Sequence, residues 1–168
     1  WGLVFYRGAI PFVIVLFGML IIYRLSFFKL LLGNSVYGAA YIITFSLTNI
    51  TFVLSIQNTN VANTLVMIAL APMLSAIFGT IFLKEKPDRN TLIAIFITFI
   101  SVLYIFYDSL KLGNIFGDVL GFITAAGLAA GATIIRAGKK VSLVPSAVIG
   151  KLVVAVVALF FIDSFELK

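Results

Sequence analysis

Apolar residues fall into six long stretches, about Gly2 to Tyr23, Val36 to Ile56, Val61 to Leu83, Thr91 to Tyr107, Ile115 to Ile135 and Leu143 to Ile162, with polar residues gathered between them. Each stretch is of the length that crosses a hydrocarbon core of about 30 Å as an α-helix. The stretches are apolar on every side, whereas barrel strands alternate over segments of about ten residues. The pattern predicts an all-α fold, a polytopic membrane helix bundle with six transmembrane helices in this chain.

The charges between the stretches give it a direction. Arg24 and Lys29 follow the first stretch, Lys84, Lys86 and Arg89 the third, and Arg136, Lys139 and Lys140 the fifth. The intervening gaps hold no base between Gln57 and Asn60 and only Lys111 between Asp108 and Asn114. Cytoplasmic loops carry the excess of Lys and Arg, so the basic gaps are read as cytoplasmic and Trp1 as lying on the outer side of the inner (cell) membrane.

Composition narrows the function classes. A chain that is 62% hydrophobic and 11% charged has too little polar surface to cover a water-soluble globule. The net charge of +6 would point to nucleic acid in a soluble protein, but here the bases line one face of a bilayer and meet anionic headgroups, so no nucleic-acid partner is expected. The absence of Cys and His removes thiolate and imidazole metal sites, disulfides, Cys–His and Ser–His nucleophile pairs and the usual haem ligands. No metal, cofactor or enzymatic activity is therefore expected. The chain opens at Trp inside an apolar run and reads as a piece of a longer protein.

Several spans carry polar or backbone signals. In the second, Tyr37, Tyr41, Thr44, Thr48, Thr51 and Ser55 recur at three- and four-residue spacing and stack hydroxyls along one helix face. Such a stripe either stitches helices together or lines a water-accessible cavity. The third span opens with Asn58, Thr59, Asn60, Asn63 and Thr64 and holds Pro72 in mid-bilayer, where the missing N–H permits a kink and a hinge. Gly117, Gly121, Ala125 and Ala129 form a small-residue ridge on the fifth span, serving tight packing within one bundle or a homodimer. In the inner turn Lys84 to Asn90, Pro87 stops one helix, and Asp88 or Asn90 can cap the next.

Two cations sit inside spans. Lys151 lies about 12 Å along the sixth span from its inner end and Arg7 some 9 Å from the outer end of the first. Either both snorkel to the near interface, or they face a central cavity and meet an anionic group of a substrate or a helix C-terminus. A shift of 144 residues lays Arg7 on Lys151 and Arg24 on Lys168. The spans so paired cross the membrane in opposite directions, as an inverted repeat of five-helix units requires.

The run Asn60-Val61-Ala62-Asn63 through Leu70-Ala71-Pro72 to Phe82-Leu83-Lys84-Glu85-Lys86-Pro87 resembles the EamA type of the drug/metabolite transporter superfamily. Phe5-Tyr6-Arg7-Gly8 resembles the start of that family's second helix, and Gly117-Asp118-Val119-Leu120-Gly121-Phe122 the opening of its second repeat. The resemblance implies a ten-helix carrier of two inverted five-helix halves. Residues 1–107 would be the second to fifth helices of the first repeat and 115–168 the sixth and seventh helices, opening the second repeat; the first helix and the last three would be missing. It further implies movement of a small-molecule metabolite, in the export direction, by alternating access. Ser101 departs from the family, which has glycine there. The substrate-binding candidates are Arg7, Tyr41, Thr44, Thr48, Asn63 and Lys151, with Pro72 as hinge.

Two other readings bear on the same residues. Tyr107-Asp108 and Gly117-Asp118 are similar to the pairs of intramembrane aspartyl proteases, but both acids flank one outer loop, and Ile115 stands where that motif needs glycine. A solvated-loop role is expected for them. A non-transporting scaffold or assembly subunit is the alternative to a carrier.

Overall fold

A computed structural model describes residues 2–23, 36–112, 115–138 and 143–160. Arg24, Lys29, Lys139 and Lys140, on which the orientation rests, lie outside the described residues, as do Trp1, Asp163 and Lys168 and the side chains of Asp108 and Lys111. The described residues form seven helices: α1 (Gly2–Tyr23), α2 (Val36–Asn58), α3 (Val61–Ile68), α4 (Ala71–Leu83), α5 (Arg89–Leu112), α6 (Ile115–Ala137) and α7 (Val144–Phe160). The chain is thus all-α, a membrane helix bundle. Val36–Asn58, Val61–Leu83 and Ile115–Ala137 are each long and apolar enough to cross a bilayer, and Val4–Gly18, Arg89–Tyr104 and Val144–Phe160 are shorter apolar helices.

Seven helices arise from six apolar stretches because the third is interrupted. Pro72 has no N–H to offer the carbonyl of Ile68, and its ring crowds that same group. The chain answers with a turn at Ala69 and Leu70, where the Leu70 N–H tightens onto the Met67 carbonyl at 3.1 Å, and α4 restarts with Pro72 in its first turn. What the sequence predicts as a kink is a break between two helices. At the far end of α4, Lys84 takes the left-handed conformation (φ 56°), and the Glu85 N–H closes the helix onto the Gly79 carbonyl at 3.1 Å. Asp88 then caps α5, accepting the Thr91 N–H at 3.0 Å.

The contacts divide the chain into two compact units, one of residues 1–50 and 134–168, the other of residues 51–133. In the first unit α1 and α7 pack against each other. A Cβ on Gly8 would lie 2.8 Å from the Ala155 amide nitrogen, while Phe12 and Leu16 pack on Val148. Contacts that advance along α1 as they retreat along α7 make the two helices antiparallel, as the alternation of charged gaps requires. The first half of α2 joins them: Phe45 lies over Gly150, and the Ser46 hydroxyl donates to the Gly150 carbonyl at 3.0 Å.

The second unit is centred on Met67, Leu70, Met73 and Leu74 from the broken span, Val102 of α5, and Ala125 and Ala129 of α6. The small-residue ridge of α6 is used inside this unit. A Cβ on Gly117 would lie 2.6 Å from the Thr59 backbone nitrogen, one on Gly121 would lie 3.1 Å from Met67 and Ser55, and Ala125 and Ala129 are buried. Ser101 donates to the Ile97 carbonyl at 2.9 Å from an exposed position on α5.

Candidate functional site

The polar chemistry of the first unit converges on Lys151. Its ammonium donates to the Asn49 Oδ1 at 2.6 Å and stands 5.1 Å from the centre of the Phe45 ring, within cation–π range. Tyr41 stacks on Phe45 with ring centres 5.6 Å apart, so Tyr41, Phe45 and Asn49, spaced four residues apart, form one face of α2 toward the cation. The Asn49 amide also donates to the Phe45 carbonyl at 2.8 Å, which fixes its oxygen toward the ammonium. Gly150 makes this approach geometrically open, since a Cβ there would lie 2.8 Å from the Phe45 ring.

Asn49 lies roughly 20 Å along α2 from Val36 and 14 Å from Asn58, and Lys151 roughly 10 Å and 14 Å from the ends of α7. The ammonium is tied sideways to the middle of α2. Arg7 is another cation of the unit. It is exposed on α1, next to Gly8, whose missing Cβ would lie 3.1 Å from the Lys151 carbonyl oxygen.

The hydroxyl stripe separates along its length. Thr44 donates to the Ala40 carbonyl at 2.8 Å and Thr48 to the Thr44 carbonyl at 2.7 Å, both in the first unit. Further along, in the second unit, the stripe stitches helices. Thr124 donates to the Leu120 carbonyl at 2.9 Å, and its hydroxyl also lies 2.9 Å from the Thr51 hydroxyl in a side-chain hydrogen bond. Ser55 donates to the Gly117 carbonyl at 2.7 Å, so Thr64 is the donor in its 2.8 Å contact with Ser55. Each such bond contributes about 0.6–2 kcal/mol. Tyr37 lies over Gly138 at the other end of α2.

Asn63 and Pro72, the remaining sequence candidates, belong to the second unit; Asn63 is half-buried in α3 and Pro72 sits at the helix break. Asp118 corrects an expectation. Rather than being solvated beside a loop, it is 1% exposed in the first turn of α6 and accepts the Thr59 hydroxyl at 2.8 Å. It borders a cavity of about 290 Å³ whose other walls are apolar side chains of the broken span, α5 and α6, among them Leu70, Val102 and Phe122. That space suits hydrocarbon and brings no cation or amide together.

Asn49, Phe45 and Gly150 were not singled out by sequence reasoning. The signal lay in Tyr41-x-x-x-Phe45-x-x-x-Asn49, a second four-residue series ending in an amide within an apolar span.

Residues 1–107 match the family model of EamA-like transporters. The chain belongs to the EamA-like transporter family. It is therefore a membrane transporter of the drug/metabolite type, with a small molecule as substrate and the lipid bilayer as surroundings, and not an enzyme. No curated protein and no solved structure matches the chain. Within this EamA-like chain the match takes in Arg7, the hydroxyl stripe, Asn49 and the broken third span, while Lys151 lies beyond it.

Proposed function

We propose that the protein is a carrier that exports a small metabolite across the cell (inner) membrane by alternating access, with Trp1 on the outer side. The observation that carries this reading is the Lys151 ammonium held at mid-depth by Asn49 and Phe45. An ammonium in the bilayer costs several kcal/mol unless it serves a partner or a pathway, and such groups mark substrate routes. In this reading Lys151 and Arg7 contact substrate, Tyr41 and Phe45 form a wall of its site, and Thr44 and Thr48 offer hydroxyl oxygens to it. Asn63 is a substrate-binding candidate within the second unit alone, and the break at Pro72 is the hinge. Carrier sites near the bilayer midplane, between halves that rock about them, support the assignment of residues 1–107 and 115–168 to two inverted repeats of a ten-helix fold.

The test is metabolite profiling of cells with and without the full-length protein. Export predicts that the same compound rises in the medium and falls in the cell when the protein is made. Profiles that stay identical across several growth conditions would remove the carrier reading.

A further inference from the structure

The charge balance around Lys151 is one-sided. Residues 1–84 and 119–162 contain neither Asp nor Glu, so the first unit sets Lys151 and Arg7 in a region whose described residues include no carboxylate. A soluble protein could tolerate such a pair through water, but here Lys151 is tied to the middle of α2, against a neutral amide and an aromatic ring. Neither neighbour cancels charge. The Asn49 oxygen occupies one of the three ammonium donors, leaving donor capacity at a partly exposed group. A cationic substrate would meet repulsion from both side chains, and a neutral one would leave the charge uncompensated in low dielectric.

We infer that the transported metabolite carries an anionic group, a carboxylate or a phosphate, which Lys151 takes by a charge-assisted hydrogen bond while Asn49 and Phe45 hold the ammonium in place and Arg7 adds positive potential. Asn49 is a positioning residue in this arrangement. The inference rests on the carrier reading above and adds the substrate's charge to it. The anion provides a countercharge beside Lys151, where the described residues of the first unit offer none, so the occupied site is closer to neutrality than the empty one.

The experiment is the same profiling of the full-length protein, extended to three variants at matched membrane abundance. Lys151→Arg keeps the charge and is expected to export the protein-dependent metabolites less well than wild type but better than Lys151→Met. Lys151→Met removes the charge and is expected to lower their export by about tenfold or more, the value of a charge-assisted hydrogen bond. Asn49→Asp is the discriminating variant, because it keeps Lys151 and gives it a carboxylate partner. A merely structural Lys151 would tolerate or welcome that pair, whereas an anion-binding Lys151 would be occupied by it and lose export to a similar extent. Should Lys151→Met fail to reach the membrane, Asn49→Asp still decides the matter. Protein-dependent metabolites that are amines or uncharged, or an Asn49→Asp variant that exports as wild type, would overturn the anionic class and leave the carrier standing. A wild type that changes no metabolite removes the carrier reading itself, and this inference with it.

Discussion

Single residues in this chain act where helix geometry leaves a backbone or charged group in need of a partner. Lys151 shows this within the bilayer: its position on α7 settles depth, but Asn49 and Phe45, from a different helix, settle where the ammonium ends. Asp88 shows it outside. Its carboxylate accepts both the Thr91 hydroxyl and the Thr91 N–H, and these bonds, the hydroxyl foremost, hold it below its ordinary value of 3.8. A lowered folded-state value means stability that is fully present above pH 3.8 and is lost as pH falls through the lower folded value. Asp88→Asn keeps an amide oxygen for the cap and should melt close to wild type at neutral pH, without the acid-side decline. Asp88→Ala should melt lower at neutral pH and converge on wild type in acid. Thermal melts of the full-length protein in detergent between pH 7 and 3 check this, and parallel curves for all three proteins would show that the cap carries no pH dependence.

At the scale of elements, apolar length and charged gaps are enough to lay out the helices, because a membrane leaves little freedom in how long a span must be. The cap at Asp88 and the disturbance at Pro72 are legible for a similar reason, since both follow from local backbone hydrogen bonding. The contacts that make the site are not local. Gly150 admits the Phe45 ring, and Gly117 admits the Thr59 backbone beside Asp118; no spacing rule within one helix states which partner a glycine will meet. Asp118 departs from the sequence expectation for that reason: its nearness to a loop is visible in the sequence, but its burial and its bond to Thr59, in the link between α2 and α3, are not. The broken third span carries its own prediction. Pro72→Ala restores an N–H for the Ile68 carbonyl and allows one continuous helix from Val61 to Leu83, so the variant should melt as high as wild type or higher. If the break is the moving part, export should fall severalfold at equal abundance. Unchanged export in a protein that melts higher would make the break a packing feature.

For the whole molecule, orientation is the property on which the carrier reading depends, because it decides which face the Lys151 site must open to and hence what export means. It rests on eight bases in alternate gaps against one in the gaps between, a difference that acts during insertion and is independent of packing. The chain itself supplies a clean test, since residues 1–168 contain no cysteine. With any cysteine elsewhere in the full-length protein replaced, a single one can be placed at Gln57, exposed at the end of α2, or at Lys86, exposed in the turn before α5. A membrane-impermeant maleimide added to intact cells should label Gln57→Cys and should reach Lys86→Cys only after permeabilisation. The opposite pattern would invert the molecule and turn the proposed export into uptake. It would leave the chemistry of Lys151, Asn49 and Phe45 untouched, because their geometry is set by α2 and α7 and not by the side of the membrane on which the chain begins.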